Sequence, residues 1–307
     1  KWTKMAPTPL HRRSSVPRRT SAHSLLGGLL LLTARLAWAG PPPAPEPEKN
    51  ESTQMQGELF VWSGGATRAE AEAQKENFAA YQQVLEPVLT LEPQVLESAR
   101  IEGLKPGFFV VALGVCPKKE MASLKVFQAL APEVYTRSVK YAPTQDLPAL
   151  GCPQPVEAAS NDDGAPVLWK LERTERVVQG KNALVGLIFG YHWSQQGDFG
   201  SSYYNVKALY LGVDKKRRLM DSKTYSGPTD ATQLESLKSE EEQLVAEVKY
   251  GDPRCEPSSD YFKGWRKSVR AALDKRKVKL TEGEPWLLEE GSCGYADEAR
   301  MLRGESP

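Results

Sequence analysis

The chain has 307 residues, with 40 Lys and Arg against 39 Asp and Glu, a formal net charge of +1 and 40% hydrophobic residues. Seven basic residues and no acidic ones precede Gly40, so a chain starting there keeps 33 basic against 39 acidic residues, a net charge of −6. That balance excludes the surplus of Lys and Arg with which a non-specific nucleic-acid binder displaces counterions. Of three histidines only His192 lies beyond Gly40, which excludes a multi-histidine zinc site in the shortened chain.

From Met5 the sequence runs through Arg12, Arg13, Arg18 and Arg19 into Leu25–Leu32, then to Ala37-Trp38-Ala39. A basic stretch, a short apolar helix and small residues at −3 and −1 make up a secretory signal. The apolar run is broken by Arg35 and is shorter than the about 20 residues that span a bilayer. A cleaved signal over residues 1–39 is therefore expected, with no integral membrane segment afterwards and a periplasmic or extracellular destination. Residues 40–56 open on Gly40-Pro41-Pro42-Pro43-Ala44-Pro45, which cannot bury a core and read as a stiff linker.

Residues 57–145 read as one domain. Leu59-Phe60-Val61-Trp62 is a strand ended by Gly64-Gly65; Thr67 and Glu70 form a capping box; and Ala71, Phe78, Tyr81, Leu85 and Val88 keep near-helical spacing. Gln94 to Ile101 and Phe108 to Leu113 read as strands, Met121, Leu124, Phe127 and Leu130 as a helical stripe, and Val134 to Tyr141 as the closing strand. Gly-x5-Glu recurs at Gly64 to Glu70 and at Gly114 to Glu120, each time where a strand turns into a helix. A duplicated β-α-β unit predicts a ferredoxin-like βαββαβ domain, with both helices on one face of its sheet and the other face open.

A polar stretch at 146–165 separates this domain from a second, 166–293, with 294–307 as a tail. Val167 to Val178, Ala183 to Tyr191, Tyr203 to Val213 and Arg218 to Tyr225 alternate as an antiparallel meander does. Asp214-Lys215-Lys216-Arg217 reads as a solvated hairpin tip. Helices are expected from about Asp230 to Tyr250 and from about Ser259 to Arg276. In the latter, Phe262, Trp265, Val269 and Leu273 would face inward, and Lys263, Arg266, Lys267, Arg270, Lys275 and Arg276 outward, as a solvated basic face. The fold class expected for the chain is thus α+β, a βαββαβ domain followed by an antiparallel sheet with helices.

Four cysteines, Cys116, Cys152, Cys255 and Cys293, lie in a chain read as exported, so disulfides are expected. Three connectivities are open, and proximity favours Cys116–Cys152 with Cys255–Cys293. The stretch from Tyr191 to Gly200, with His192, Ser194 and Asp198, is the most site-like. Neighbours on one strand point alternately to opposite faces, so they make a poor nucleophile-base-acid set, and a packed hairpin is the simpler reading. No catalytic residue, metal or cofactor is assigned. A secreted hydrolase built around His192 is the rival reading.

Phe60-Val61-Trp62-Ser63-Gly64 with Ala69 and Ala71, and Phe108 to Gly114 with Glu120, resemble the two strand-glycine-helix segments of the SPOR family over residues 57–142. These are bacterial envelope domains that bind peptidoglycan glycan strands. The resemblance implies a non-enzymatic envelope protein whose open sheet face stacks sugars on aromatics among Trp62, Phe109, Tyr135 and Tyr141. It implies a structural role for Cys116 and Cys152, and peptidoglycan or an envelope protein as partner.

Overall fold

The computed structural model describes residues 54–161, 163–194, 202–228, 232–251 and 264–287, all within one compact unit, Glu51–Pro307. In chain order the first elements are β1 (Met55–Gly65), α1 (Arg68–Leu85), β2 (Leu89–Thr90), β3 (Gln94–Glu97), β4 (Phe109–Cys116), α2 (Ala122–Leu130) and β5 (Tyr135–Tyr141). The short strands β6 (Gln154–Pro155), β7 (Glu157–Ser160) and β8 (Pro166–Leu168) follow. Then come β9 (Lys170–Gln179), β10 (Asn182–Ser194), β11 (Ser202–Asp214), β12 (Leu219–Ser226) and β13 (Thr232–Glu240). The last four are β14 (Gln243–Gly251), β15 (Gly264–Asp274), β16 (Lys277–Glu282) and β17 (Trp286–Leu287). The expected signal and most of the linker lie outside the described residues.

Three antiparallel sheets carry the fold. Sheet 1 has the order β3-β4-β1-β5, sheet 2 the order β12-β11-β10-β9, and sheet 3 the order β13-β14-β15-β16. On one side of sheet 1, Phe60, Trp62, Val111 and Leu113 pack on Phe78, Tyr81 and Leu85 of α1 and on Phe127 and Leu130 of α2. The same apolar cluster runs on through the helices to Val185, Leu187, Phe189, Leu209 and Leu211 of sheet 2. The opposite side of sheet 2, with Leu184, Ile188, Ala208 and Tyr210, packs on Leu244, Ala246, Val269 and Ala271 of sheet 3. The layers therefore run sheet 1, helices, sheet 2, sheet 3. Strands β10 and β11 are buried on both faces, which is why Ala183 to Tyr191 reads as a nearly unbroken apolar run.

The expected α+β class with a ferredoxin-like domain is corrected by this architecture. Strand makes up 58% of the described residues and helix of every kind 16%, distributed over several antiparallel sheets. The sharpest departure is after Asp230, where two helices are expected and β13, β14 and β15 stand instead. An i, i+4 spacing is common to a helix face and to one face of a strand. Val269 and Leu273, read as a helical stripe, are alternate inward positions of β15 with Ala271 between them. Likewise Leu244 and Val248 are joined by Ala246 on one face of β14. The expected basic helix face is split between the two faces of β15: Arg266 and Arg270 lie on one, pairing with Glu235 and, at 3.3 Å, with Glu240, and Lys267 on the other, pairing with Glu282; Lys263 lies outside the described residues.

The break between β13 and β14 is a two-residue turn in which Glu241 (φ 44°) and Glu242 (φ 66°) both lie in the left-handed region. A side chain in that region costs roughly 1–2 kcal/mol per residue, and glycine escapes the cost. Glu242→Gly should therefore stabilise the protein by about 1 kcal/mol, read as a higher urea midpoint at an unchanged m-value. A lower midpoint would contradict this turn.

Between sheets 2 and 3, Tyr225 is buried, and its hydroxyl has a pKa pushed up to about 12, chiefly by burial and further by the Glu282 carboxylate and Tyr250. The folded chain thus holds this proton more tightly than the unfolded one, whose tyrosines titrate near about pH 10. The resulting stability is complete below about pH 10 and is lost as pH rises from there through about 12, with a slope of up to about 1.4 kcal/mol per pH unit. Tyr225→Phe should flatten that part of the alkaline unfolding curve. An unchanged curve would overturn the assignment.

Candidate functional site

The four aromatic residues expected to line one open sheet face are separated by the fold. Trp62 is 2% exposed and sits between sheet 1 and α1, its ring 4.8 Å from Phe78 and 5.4 Å from Tyr81. The Arg217 guanidinium lies 5.8 Å from its ring centroid, and Arg217 Nη1 donates to the Trp62 carbonyl at 3.0 Å. Tyr81 Oη donates in turn to the Arg217 carbonyl at 3.0 Å. The hairpin tip after Asp214 therefore docks, through Arg217, onto the first sheet and helix, and is more than a solvated turn.

Tyr141 points to the other side of sheet 1, among Leu59, Val61 and Val139, and is buried. Its hydroxyl donates to the Pro148 carbonyl at 3.1 Å and accepts from the Leu150 amide at 3.2 Å; burial raises its pKa, against the Leu150 hydrogen bond. Ile101, Leu104, Leu147 and Leu150 cover this side, so the face expected to be open carries a roof of two loops. Phe109 is half-buried under the Arg68 guanidinium at 5.9 Å. Tyr135 is 40% exposed, with the Arg137 guanidinium 4.7 Å from its ring centroid. It stands at the start of β5, an edge strand.

Further along β5 the surface forms a recess of about 540 Å³ lined by Glu58, Glu102, Lys118, Ser138 and Lys140. The Glu58 side chain is 12% exposed; it accepts from Ser138 Oγ at 2.5 Å and faces Lys118 Nζ at 4.0 Å. The repeated Gly-x5-Glu segments differ in use. Glu70 closes the capping box of α1, accepting from the Ala66 and Thr67 amides while Thr67 accepts from the Glu70 amide. Those amides are thereby satisfied by the chain itself. Glu120 lies on a 3₁₀ turn, and α2 begins without a side-chain cap.

His192 is exposed and stacks on Tyr204, directly opposite across the β10–β11 pair, at 4.4 Å between ring centroids. Tyr191, on the other face, meets Trp169 edge-on at 5.1 Å, and Lys207 Nζ lies 4.8 Å from the Trp169 ring. Asp198 lies outside the described residues. Among the described residues no group of three or more His, Cys, Asp or Glu is arranged to hold a metal, and no helix is long and apolar enough to cross a membrane.

Cys116 and Cys152 form a disulfide, 36 residues apart in sequence. It pins the segment after Leu147 against the end of β4, where the Val115 amide also donates to the Gly151 carbonyl. A Cβ on Gly114 would stand 2.4 Å from that carbonyl, so the close approach requires glycine there. Cys255 and Cys293 lie outside the described residues. No family of known proteins, no curated protein and no solved structure matches the chain.

Sequence reasoning missed Arg217, because a run of Asp, Lys and Arg at a hairpin tip carries the signal of a solvated turn; its docking depends on a surface more than a hundred residues away. The paired substitution Cys116→Ala with Cys152→Ala should lower stability by about 3–4 kcal/mol on the loop-entropy model, measured by urea unfolding. A loss below about 1 kcal/mol would mean that the hydrogen bonds alone hold the segment.

Proposed function

We propose that the chain is an exported, non-enzymatic protein that binds peptidoglycan glycan strands through the exposed end and edge of sheet 1. The observation that carries this reading is Tyr135, 40% exposed on an edge strand with Arg137 over its ring. A flat ring accepts the C–H face of a sugar, while Arg137, on the same face of β5, meets its oxygens. The resemblance of residues 57–142 to SPOR domains supports a glycan as the ligand. Export is supported by the leader-like residues 5–39 and by the Cys116–Cys152 disulfide, a bond that persists in oxidising compartments. With Trp62 and Tyr141 buried, Tyr135 is the aromatic contact in this reading.

Sedimentation of the purified protein with insoluble peptidoglycan, with and without enzymatic removal of stem peptides, tests this. Retention of the parent protein is expected, with a loss of about tenfold in affinity for Tyr135→Ala at an unchanged melting temperature. Absence of retention on both preparations overturns the reading. Unaltered retention of the variant moves the contact away from β5.

A further inference from the structure

Two hairpin tips, one from sheet 2 and one from sheet 3, meet at one corner, and both are basic. In sheet 2 the turn after Asp214 joins β11 to β12; in sheet 3 Lys275 and Arg276 join β15 to β16, between the paired Asp274 and Lys277. Packing of sheet 2 on sheet 3 sets the tips side by side: a Cβ on Gly212, just before Asp214, would stand 2.9 Å from Leu273 Cδ1 and 3.5 Å from Val278 Cγ2. The Asp221 carboxylate crosses the same seam, accepting from the Val278 amide at 2.8 Å with Lys277 Nζ 3.6 Å away. Residues 214–221 and 274–279 together hold eight Lys and Arg against three Asp.

The three carboxylates are already engaged: Asp214 with Arg218 at 2.7 Å, Asp221 with Lys277, and Asp274 with Lys279 at 2.5 Å. Arg217 turns inward to the Trp62 carbonyl. Lys215, Lys216, Lys275 and Arg276 are exposed, and among the described residues none of them has a carboxylate within salt-bridge distance. Lys275 also holds a left-handed backbone (φ 58°), which glycine would adopt without strain. Four free cations thus gather at one corner of a chain that carries an acidic surplus beyond Gly40. The meeting point of two tips is convex, and neither turn carries an aromatic ring on which a base could stack. A long polyanion laid across it would run on over the acidic remainder of the surface. A planar anionic surface touches the corner alone and stays beyond one Debye length, about 8 Å at physiological salt, from most of the rest. We infer that this corner is a peripheral docking site for the anionic headgroups of a lipid bilayer, held by charge without insertion. It is independent of the proposed glycan binding, which uses β5 of sheet 1.

The full chain is sedimented with vesicles of phosphatidylcholine alone and of equimolar phosphatidylcholine and phosphatidylglycerol. Retention on the anionic vesicles at low salt is expected to be at least about tenfold stronger than on the neutral ones, and to be lost near about 1 M salt, where the Debye length is about 3 Å. Each basic residue close to an anionic surface adds about fivefold in affinity. Lys215→Gln, Lys216→Gln, Lys275→Gln and Arg276→Gln combined should therefore weaken retention by at least about a hundredfold at an unchanged melting temperature. Lys105→Gln, Lys119→Gln, Lys125→Gln and Lys170→Gln combined change the net charge equally from exposed positions elsewhere, and should weaken it by less than about threefold. Equal retention on the two vesicles, retention on neither, or equal losses in the two variants overturns the inference. Displacement of the chain from the vesicles by single-stranded DNA at matched phosphate concentration also overturns it, since the corner would then serve a nucleic acid.

Discussion

The β10–β11 hairpin has no polar face to offer water through most of its length. Its side chains alternate between two apolar clusters, Val185, Leu187 and Phe189 on one side and Leu184 and Ile188 on the other, and each of these is 0–2% exposed. Such a pair of strands is stable only when covered twice. Sheet 3 supplies one cover; the two helices, backed by sheet 1, supply the other. The amphipathic α1 and α2 thus do two jobs at once. They bury Phe78 and Phe127 against sheet 1 and close the inner side of sheet 2, so neither sheet is completed without the other.

Apolar burial fixes the order of layers but is non-directional, so the alignment of one layer on the next falls to a few polar bonds. Two arginines of sheet 2 provide them. Arg176 Nη1 donates to the carbonyls of Ala129 and Leu130, both at 2.9 Å, satisfying groups that a helix C-terminus leaves unpaired and meeting the negative end of α2. Arg217 does the same for the Trp62 carbonyl and accepts from Tyr81 through its own. Its φ of 60° is the left-handed residue that closes the β11–β12 hairpin, so the turn geometry itself aims the side chain at the first sheet. Removing either arginine would leave carbonyls buried without donors, a cost of about 1–3 kcal/mol each.

The elements of residues 57–141 were legible because local signals agreed there. The Thr67 and Glu70 box, the glycines after β1 and the apolar run of β4 each point to one structure. Beyond Asp230 the apolar residues at i and i+4 fit two periods equally, and the deciding feature was a turn of two glutamates with positive φ, a residue type that carries no turn signal. The candidate site was less legible than the elements. Alternation along β1 and β5 tells which residues share a face, but not which face a distant loop will cover. Tyr141 and Tyr135 lie on one strand six residues apart, and the roof of Ile101, Leu147 and Leu150 reaches the first and stops short of the second. The Cys116–Cys152 pair was readable because proximity in sequence and geometry coincide there.

The same layering decides where a ligand can approach. With one side of sheet 1 against the helices and the other under its roof, the aromatic residues of its interior are committed to packing, as the 0–2% exposure of Phe60 and Trp62 shows. Surface for recognition then remains at the rims and at edge strands, where side chains are held by the sheet but only half covered. Tyr135 and Phe108 occupy such positions, one opening β5 and the other preceding β4, where the Ser98 hydroxyl accepts from the Phe108 amide at 3.1 Å and the Phe108 carbonyl accepts from the Ser98 amide at 2.9 Å. Ser98 is itself 1% exposed, so this pair of bonds ties the backbone at Phe108 to the core while its ring stays 43% exposed: the edge residues of sheet 1 are anchored through their main chain, and their side chains are left to the surface.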